Sequence, residues 1–284
     1  MTPGDDLDAI TPLALVAQQG DSAALEQLCR ALQHPMYRLA LRFTGHPTDA
    51  EDAAQEVMVR IVTGLSSFEG RSRFTTWAYT VGVRQLLRHR ARPVERSVAG
   101  PEPFGAFIDR HADDAAWEPA SQLEYAELCA DVRLSCTYGM LLCLTRDQRV
   151  AYLVGDLLEF TDTEGAEVCG VAPAAFRQRL SRARATMRQL MGNRCGLVRA
   201  DNPCRCNRLV QASLDHGLTD RDDLRFARHR GVTLPIEVGT LERAAAELDL
   251  AVAAAEVHRG APRFEAPDEL WAALSSALPE LLGR

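Results

Sequence analysis

Apolar residues recur every three or four positions along most of this chain, which is the spacing of amphipathic helices. Between Asp21 and Thr44 they form one stripe, and the helix is predicted to be interrupted near Pro35 because proline removes a backbone hydrogen bond. The glycine and proline that follow Thr44 end the helix. The stripe consists of Leu25, Leu28, Leu32, Met36, Leu39 and Phe43.

Two further helices are predicted in the first third of the chain. Thr48 and Glu51 form a capping-box pattern, which opens a second helix with one apolar and one acidic face. A third helix begins around Ser72 or Thr75 and extends to about Arg90, close before a proline. Both helices carry enough apolar positions to pack against the first.

Residues 93–120 mix proline, glycine and acids without a sustained period, so they are predicted to form a flexible acidic linker. Helical periodicity returns from Ser121, and Thr145 precedes a helix that extends through Phe160. A short helix between Thr161 and Gly170 is then followed by a helix with Pro173 in its first turn and arginines on one face. A short helix, a glycine turn and an arginine-faced helix indicate a helix-turn-helix.

Residues 207–284 contain the Ala-, Leu- and Glu-rich run ERAAAELDLAVAAAEVH and the final run PDELWAALSSALPELL, and both runs are typical of helices. No stretch of useful length alternates between apolar and polar residues as a strand does. The fold class predicted for the whole chain is therefore all-α.

The charge is uneven, and this changes the picture of an ordinary acidic protein with a formal net charge of -7. Residues 71–96 hold seven arginines and one acid, and residues 173–199 hold seven arginines and no acid. The intervening stretch 102–131 holds eight acids and one arginine. Two basic segments of this kind are typical of contact with a polyanion such as DNA, although solvated helix faces are the alternative.

The first basic segment also contains aromatic residues. Phe74, Trp77 and Tyr79 stand among its arginines, and flat rings can stack on unpaired bases for ~1 to 3 kcal/mol per base. Binding to closed duplex has little use for such rings, whereas opening a duplex does. The alternative, that at least one of these rings belongs to the core of a helical bundle, stays open.

Several classes of protein are disfavoured. The sequence contains no Walker loop, HExxH, GxSxG or dinucleotide-binding motif, and its seven histidines are scattered singly, so we predict no enzymatic activity. No apolar run approaches the ~20 residues of a membrane span. The N-terminal segment MTPGDDLDAI lacks the basic residues of a secretion signal, so we expect a cytoplasmic protein with reduced cysteines.

Three segments resemble bacterial RNA polymerase sigma factors of the extracytoplasmic-function (ECF) branch of the sigma-70 family. TDAEDAAQEVMVRIV is similar to the helix that binds the polymerase clamp, and FEGRSRFTTWAYTVGVRQLLRHR resembles the promoter-melting segment. The run from LTRDQRV to SRARATM is similar to the C-terminal helix-turn-helix. The resemblance implies sigma region 2 in residues 9–92, a linker in 93–120, sigma region 4 in 121–192 and a C-terminal extension in 193–284.

The resemblance also implies roles for particular side chains, in binding core RNA polymerase, in opening promoter DNA and in reading its upstream element. The residues that would face the polymerase are Asp49, Asp52, Gln55 and Glu56. Those that would open and read the downstream promoter element are Arg71, Arg73, Phe74, Trp77, Tyr79, Arg84 and Arg88. Those that would enter the major groove are Arg177, Gln178, Arg179, Arg182 and Arg184.

The chain departs from the family pattern at four of these or nearby positions. Arg84 and Arg88 stand where family members usually have Asn and Asp, so the identity of the captured base is open. Gly165 occupies a usually aliphatic position, and Ala172 replaces the usual Ser cap, whose loss costs ~1 kcal/mol. We therefore expect altered or weaker binding of the upstream element.

A cluster of cysteines follows the second basic segment. Cys195, Cys204 and Cys206, with His216 ten positions farther on, could bind a zinc ion, act as a redox switch or serve as structural thiols. No cofactor other than this zinc is suggested. The extension itself is interpreted as a regulatory device that covers the polymerase-facing surfaces, and a separate anti-sigma factor is the other candidate partner.

The alternative function is a stand-alone helix-turn-helix transcription regulator that responds to metal or redox state. Such a regulator predicts a dimer on a palindromic site. A sigma factor instead predicts a monomer that binds core polymerase first.

Overall fold

A computed structural model describes residues 10–91, 93–98, 100–115, 122–226, 250–279 and 281. Within these ranges the regular elements are helices, apart from one isolated β-bridge between the backbones of Cys195 and Cys204, whose thiols are free. The predicted all-α fold is therefore confirmed. The N-terminal helices are α1 (Thr11–Gln18), α2 (Ser22–Thr44), α3 (Pro47–Gly64) and α4 (Phe74–Arg88), followed by α5 (Pro93–Ser97) and α6 (Pro101–His111). The later helices are α7 (Gln122–Leu142), α8 (Arg146–Tyr152), α9 (Asp162–Cys169), α10 (Pro173–Met191), α11 (Leu209–Asp215), α12 (Leu250–Arg259) and α13 (Asp268–Ala277).

The helix ends follow local chemistry. Both Thr145 and Thr161 form complete capping boxes, at the starts of α8 and α9. The capping box predicted at Thr48 and Glu51 is wrong, because Pro47 already occupies the first turn of α3 and the N-cap is His46, which makes no side-chain cap bond.

The helix α2 continues through Pro35, so the predicted interruption is also wrong. A proline inside a helix removes one backbone hydrogen bond, and packing of the residues beside it has to offset that loss. Met36 and Tyr37, directly after it, are both fully buried. Tertiary packing therefore keeps the helix continuous.

The predicted linker contains the two short helices α5 and α6, contrary to the expectation of irregular chain. A proline stands at the start of each, where its missing N–H costs nothing. Ile108 is buried, and the ring of Phe104 packs so closely on α7 that a Cβ built at Gly139 would lie 2.9 Å from it. The apolar pair at an i, i+4 spacing was the signal in this stretch, although prolines and acids surround it.

One core joins the two predicted sigma regions. α2, α3 and α4 pack on one another, α8, α9 and α10 do the same, and α4 packs along α9. Buried apolar side chains from all six helices belong to one cluster. The helix-turn-helix therefore lies directly against the predicted melting helix in this structure.

The described part of the C-terminal extension packs on both regions. α12 lies against α10, and α13 lies against α3 and α2. The second predicted helix of the extension is confirmed as α13. Of the run ERAAAELDLAVAAAEVH only the part from Leu250 onward is described, and it is helical; the rest lies outside the described residues.

Within the described ranges, no single helix combines the length and hydropathy of a membrane span. The segments Glu124–Leu142 and Arg146–Leu157 meet that test only as a pair, and they are bent by 117° relative to each other.

We predict that acid weakens the packing of α12 through His258. Its ring is buried against Tyr152, Nδ1 donates to the carbonyl of Ala254 at 2.8 Å, and burial lowers the pKa of His258 to about 4. The unfolded chain takes up this proton near pH ~6.5, so the stabilisation is complete above that pH and is lost as the pH falls towards the folded pKa. Urea unfolding at pH 7 and pH 5 should show wild type losing about 2 kcal/mol more than His258→Phe. Equal losses in the two proteins would contradict this role.

Candidate nucleic-acid and polymerase interfaces

The aromatic residues of the predicted melting segment are largely part of the core. Phe74 is fully buried, and Trp77 is half-buried, with ring centroids 5.5 Å from Phe74 and 5.7 Å from Phe68. Tyr79 is buried as well, edge-on to Phe160 at 5.4 Å. In this arrangement the rings of Phe74 and Tyr79 do not offer open faces to unpaired bases. The core interpretation holds for Phe74 and Tyr79, and Trp77 keeps part of its surface exposed.

The arginines around these rings stay at the surface. Arg84 and Arg88 are exposed on α4, and the described residues offer neither of them a hydrogen-bond or ion-pair partner. Arg71 pairs with its neighbour Glu69 at 2.9 Å, whereas Arg73 forms an ion pair with Glu164 of α9. The exposed face of α4 is therefore basic, and one of its arginines is engaged by the helix-turn-helix.

The helix-turn-helix has the predicted parts. α9 ends at Cys169 and is followed by Gly170, whose φ of 65° is the left-handed conformation that glycine adopts without strain. α10 begins three residues after this glycine, at Pro173. Ala172, at the N-cap of α10, makes no side-chain cap bond, and Pro173 fills the first turn. The absence of a side-chain cap, predicted from Ala172, is therefore confirmed.

The arginines of α10 differ in their surroundings. Arg184 donates to both carboxylate oxygens of Asp156, at 2.6 to 3.1 Å, and these hydrogen bonds raise the pKa of Arg184. Arg179 pairs with Asp147 at 3.0 Å. Arg177 lies 3.7 Å from Asp162, and both side chains of this pair are more than half exposed, which makes the contact weak.

Gln178 and Arg182 are exposed and have no polar partner among the described residues. They lie four positions apart, so they share one face of α10. This face is the part of the predicted recognition surface that is open to contact with a DNA groove. Arg179 and Arg184, in contrast, are engaged in holding α10 to the preceding helices.

Gly165 is explained by the packing of α9 on α10. The ring of Phe176 approaches so closely that a Cβ at Gly165 would stand 2.4 Å from its Cζ atom. Glycine is therefore required here because the aromatic ring fills the space that a side chain at this position would take.

The predicted polymerase-binding residues lie on α3. Asp52 and Glu56 are exposed, and Asp49 and Gln55 are half-buried. Glu56 accepts hydrogen bonds from Gln85 at 3.0 Å and from Nδ1 of His89 at 3.1 Å, which ties it to α4. A shallow depression of about 400 Å³ between α3 and α4 is lined by Asp52, Gln55, Glu56, Val59, Arg60 and Gln85.

Five cysteines line one cavity of about 420 Å³ between α7 and the segment that follows α10. Cys195 and Cys204 are paired through their backbones in an isolated β-bridge in that segment, and Cys206 follows them. Cys129 and Cys136 come from α7, and spacing along the sequence did not connect them with the other three. His216 lies elsewhere, beside Phe107 at 5.4 Å.

This geometry does not supply the predicted zinc site. Among the described residues, no group of three or more Cys, His, Asp or Glu side chains is arranged to hold a metal ion. Burial raises the pKa of the Cys195 thiol and raises those of Cys204 and Cys206 to about 12. Protonated, buried thiols are poor nucleophiles, which favours the structural interpretation over a redox switch.

We expect Gly165→Ala to destabilise the chain, although alanine favours helices, because the new methyl group would overlap the Phe176 ring. Overpacking of this kind costs ~1 to 3 kcal/mol. The matched control is Gly64→Ala, where the nearest atom to the new Cβ is 3.9 Å away, in Trp77, and where we expect no loss. Chemical unfolding of the two variants checks this, and the cost at Gly165 should shrink in a Phe176→Leu background. An equal cost in both backgrounds would exclude the ring as its cause.

We expect the three motif cysteines to react slowly with a disulfide reagent at neutral pH in the native protein, and all eight to react rapidly after unfolding. The reason is that the raised pKa leaves little thiolate. Elemental analysis of protein purified without added metal tests the zinc interpretation at the same time. Stoichiometric zinc would restore it, and a content near zero would remove it.

Comparison with known proteins places this geometry in a family. The Sigma-70 region 2 family model matches residues 28–93, and the Sigma-70, region 4 model matches residues 134–187. The first match contains α3 and α4, and the second contains the helix-turn-helix.

Individual relatives agree with the family models. A probable RNA polymerase sigma-C factor of Mycobacterium bovis is 32% identical over 188 residues, which is 64% of this chain and 91% of that protein. The ECF sigma factor SigM of Mycobacterium tuberculosis is 27% identical over 173 residues, or 61% and 80% of the two chains. The solved structure of CnrH in complex with the cytosolic domain of CnrY is similar over 66% of this chain and 98% of that one, with 23% identity and a TM-score of 0.43. The chain thus belongs to the ECF branch of the sigma-70 family of RNA polymerase sigma factors.

Proposed function

We propose that the acidic face of α3 binds core RNA polymerase, that the loop before α4 and the basic face of α4 open promoter DNA, and that α10 holds the upstream promoter element. As an ECF sigma factor, the chain directs RNA polymerase to specific promoters and initiates transcription. The assignment of these steps to particular helices is the proposal. It is carried by two exposed polar faces without intramolecular partners in the described residues, Arg84 with Arg88 on α4 and Gln178 with Arg182 on α10.

The domain division follows from these roles. Residues 9–92 act in polymerase binding and strand opening, residues 93–120 connect, residues 121–192 grip duplex DNA and residues 193–284 regulate. In the first unit α2, α3 and α4 pack on one another, and in the second α8, α9 and α10 do so, while the buried side chains of both units belong to one cluster. This function needs no catalytic residue.

The DNA roles divide by chemistry. Arginines on α4 meet phosphates, and the remaining exposed surface of Trp77 is available to an unpaired base. On α10, an amide and a guanidinium can each bond a base edge in the major groove, for ~1 to 3 kcal/mol of discrimination per good contact. Arg71, Arg73, Arg177, Arg179 and Arg184 stay candidates that would have to exchange an intramolecular carboxylate for a phosphate or a base.

The stand-alone regulator is not favoured. It would have no use for the region 2 match, which covers α3 and α4. In the described part of the cysteine cavity no three ligands are arranged for a metal ion, and burial raises the pKa of Cys204 and of Cys206 to about 12.

The proposal is tested with bacterial core RNA polymerase and a pool of promoter fragments. We expect the purified chain to bind core polymerase as a monomer and to support run-off transcripts. Thymines near the start site should become reactive to permanganate, which modifies bases in separated strands. Failure to bind core polymerase, or binding without transcripts from any fragment, would contradict it.

A matched pair of variants tests the assignment on α10. Arg182→Ala should weaken binding to the upstream element by ~1 to 3 kcal/mol and leave the free energy of unfolding unchanged, because Arg182 is exposed and unpaired within the described structure. Arg184→Ala should instead lower the free energy of unfolding by about 1 to 3 kcal/mol, because it leaves the buried carboxylate of Asp156 without its partner. If Arg184→Ala weakened DNA binding and Arg182→Ala lowered the free energy of unfolding, the DNA-contacting face of α10 would be the one that carries Arg184.

A further inference from the structure

The cavity lined by five cysteines has no part in the proposed function. Its volume is about 420 Å³, and its walls come from α7, from the segment that follows α10 and, through Val257, from α12. Cavities that hold small organic ligands in proteins have volumes of about 300 to 1,000 Å³. Ala126 and Arg205 stand in the wall and are exposed, so the cavity reaches the surface of the chain.

Most of the wall is apolar. Val132 and Leu197 contribute aliphatic side chains, and protonated thiols behave as small, polarisable apolar groups. Burial raises the pKa of Cys136 well above its ordinary value and raises those of Cys204 and Cys206 to about 12, so these thiols are uncharged at neutral pH. A wall of this kind favours contact with an apolar molecule over contact with water.

One charged side chain stands in this wall without a counter-charge. Arg133 of α7 is half-buried, and the described residues offer its guanidinium neither a hydrogen-bond partner nor an ion-pair partner. Burial raises the pKa of the Cys206 thiol, and the charge of Arg133 acts against that rise, which places the guanidinium near the cavity. No Asp or Glu is among the described lining residues. A guanidinium in this position is suited to a carboxylate, which it binds through two parallel hydrogen bonds.

A second guanidinium stands at the entrance. Arg205 donates to the carbonyls of Asn202, of Cys204 at 3.0 Å and of Ala200 at 2.5 Å, so the loop fixes its position. The described residues offer it no carboxylate. The charges of Arg205 and Arg133 together make the potential of the entrance positive, which attracts an anion.

We propose that this cavity binds a small organic anion, whose apolar body fills the space between α7 and the C-terminal extension and whose carboxylate pairs with Arg133. Arg205 adds attraction at the entrance. The bound molecule contacts α7, the segment that follows α10 and α12 at once, so it holds these three parts of the chain together. The site is separate from the surfaces of α3, α4 and α10 to which polymerase and DNA are assigned.

The test uses the full chain without polymerase, with octanoate as the probe. Octanol, which has the same chain length and no charge, is the matched comparison. We expect isothermal titration calorimetry to give a Kd of about 0.1 to 1 mM for octanoate, which is ordinary for so small a ligand, and binding at least about tenfold weaker for octanol. Octanoate should also raise the midpoint of thermal unfolding, because a ligand that binds only the folded chain stabilises it.

The variant Arg133→Met removes the charge and keeps an unbranched side chain. We expect its affinity for octanoate to fall at least about tenfold and its affinity for octanol to stay unchanged, because only the carboxylate loses a partner. Arg199→Met is the matched control, since Arg199 is exposed in the segment that follows α10 and is not among the described lining residues. This control should bind octanoate as wild type does.

The variant Ala130→Leu tests the cavity itself. Ala130 lies in the wall on α7, and leucine there fills part of the space while suiting a helix almost as well as alanine. Octanoate and octanol should both lose their binding, with far-UV circular dichroism used to confirm that the variant is folded.

Thiol labelling locates the bound probe. Octanoate should slow the alkylation of Cys206, which lines the cavity, and leave Cys169 unchanged, because Cys169 is also half-buried but lies on α9. Mass spectrometry of the digested chain reads the two rates separately.

Three results would each overturn the proposal. The first is that neither octanoate nor naphthalene carboxylate binds wild type at concentrations about tenfold above the expected Kd. The second is that Arg133→Met or folded Ala130→Leu binds octanoate as wild type does. The third is that octanoate slows the alkylation of Cys169 as much as that of Cys206, which would place its effect outside the cavity.

Discussion

The buried guanidinium of Arg149 lies where the helices of the predicted region 2 meet those of region 4, and it constrains how they meet. Arg149 donates to the carbonyls of Leu141, Leu144 and Phe43 and pairs with Glu95. A buried cation that lost these partners would be very costly, so the ends of α2 and α7 and the helix α5 are held in one arrangement around it. The helix α8, which carries Arg149, packs on α10 of the helix-turn-helix, so this constraint also bears on where the helix-turn-helix lies relative to α4.

Four acids near the helix-turn-helix act as internal counter-charges for arginines. Asp147 lies in α8, Asp156 lies between α8 and α9, and Asp162 and Glu164 lie in α9. Each pairs with an arginine that the family resemblance assigns to DNA. A net charge of -7 is therefore compatible with binding a polyanion. The most exposed of these pairs, Arg177 with Asp162, is also the weakest.

Local chemistry in the sequence predicted most of the helices, the start of a helix after Thr145 and the glycine turn of the helix-turn-helix. It failed where a distant element decides the outcome. Tyr79 is buried because Phe160, far along the chain, covers it, and α2 passes through Pro35 because neighbouring helices bury the residues beside it. The pattern of apolar positions indicates which face is covered, but it does not indicate what covers it, so the packing of α4 on α9 and the five-cysteine cavity could not be foreseen.

The contact between Gly165 and Phe176 couples two positions that lie in different helices. The Phe176 ring occupies the volume where a side chain at position 165 of α9 would otherwise stand. The distance between α9 and α10 therefore depends on the summed volume of the side chains at positions 165 and 176 rather than on either alone. A relative with a larger residue at the first position must carry a smaller one at the second to keep the same angle between the helices. The two positions should thus change together during divergence, as a conserved total volume.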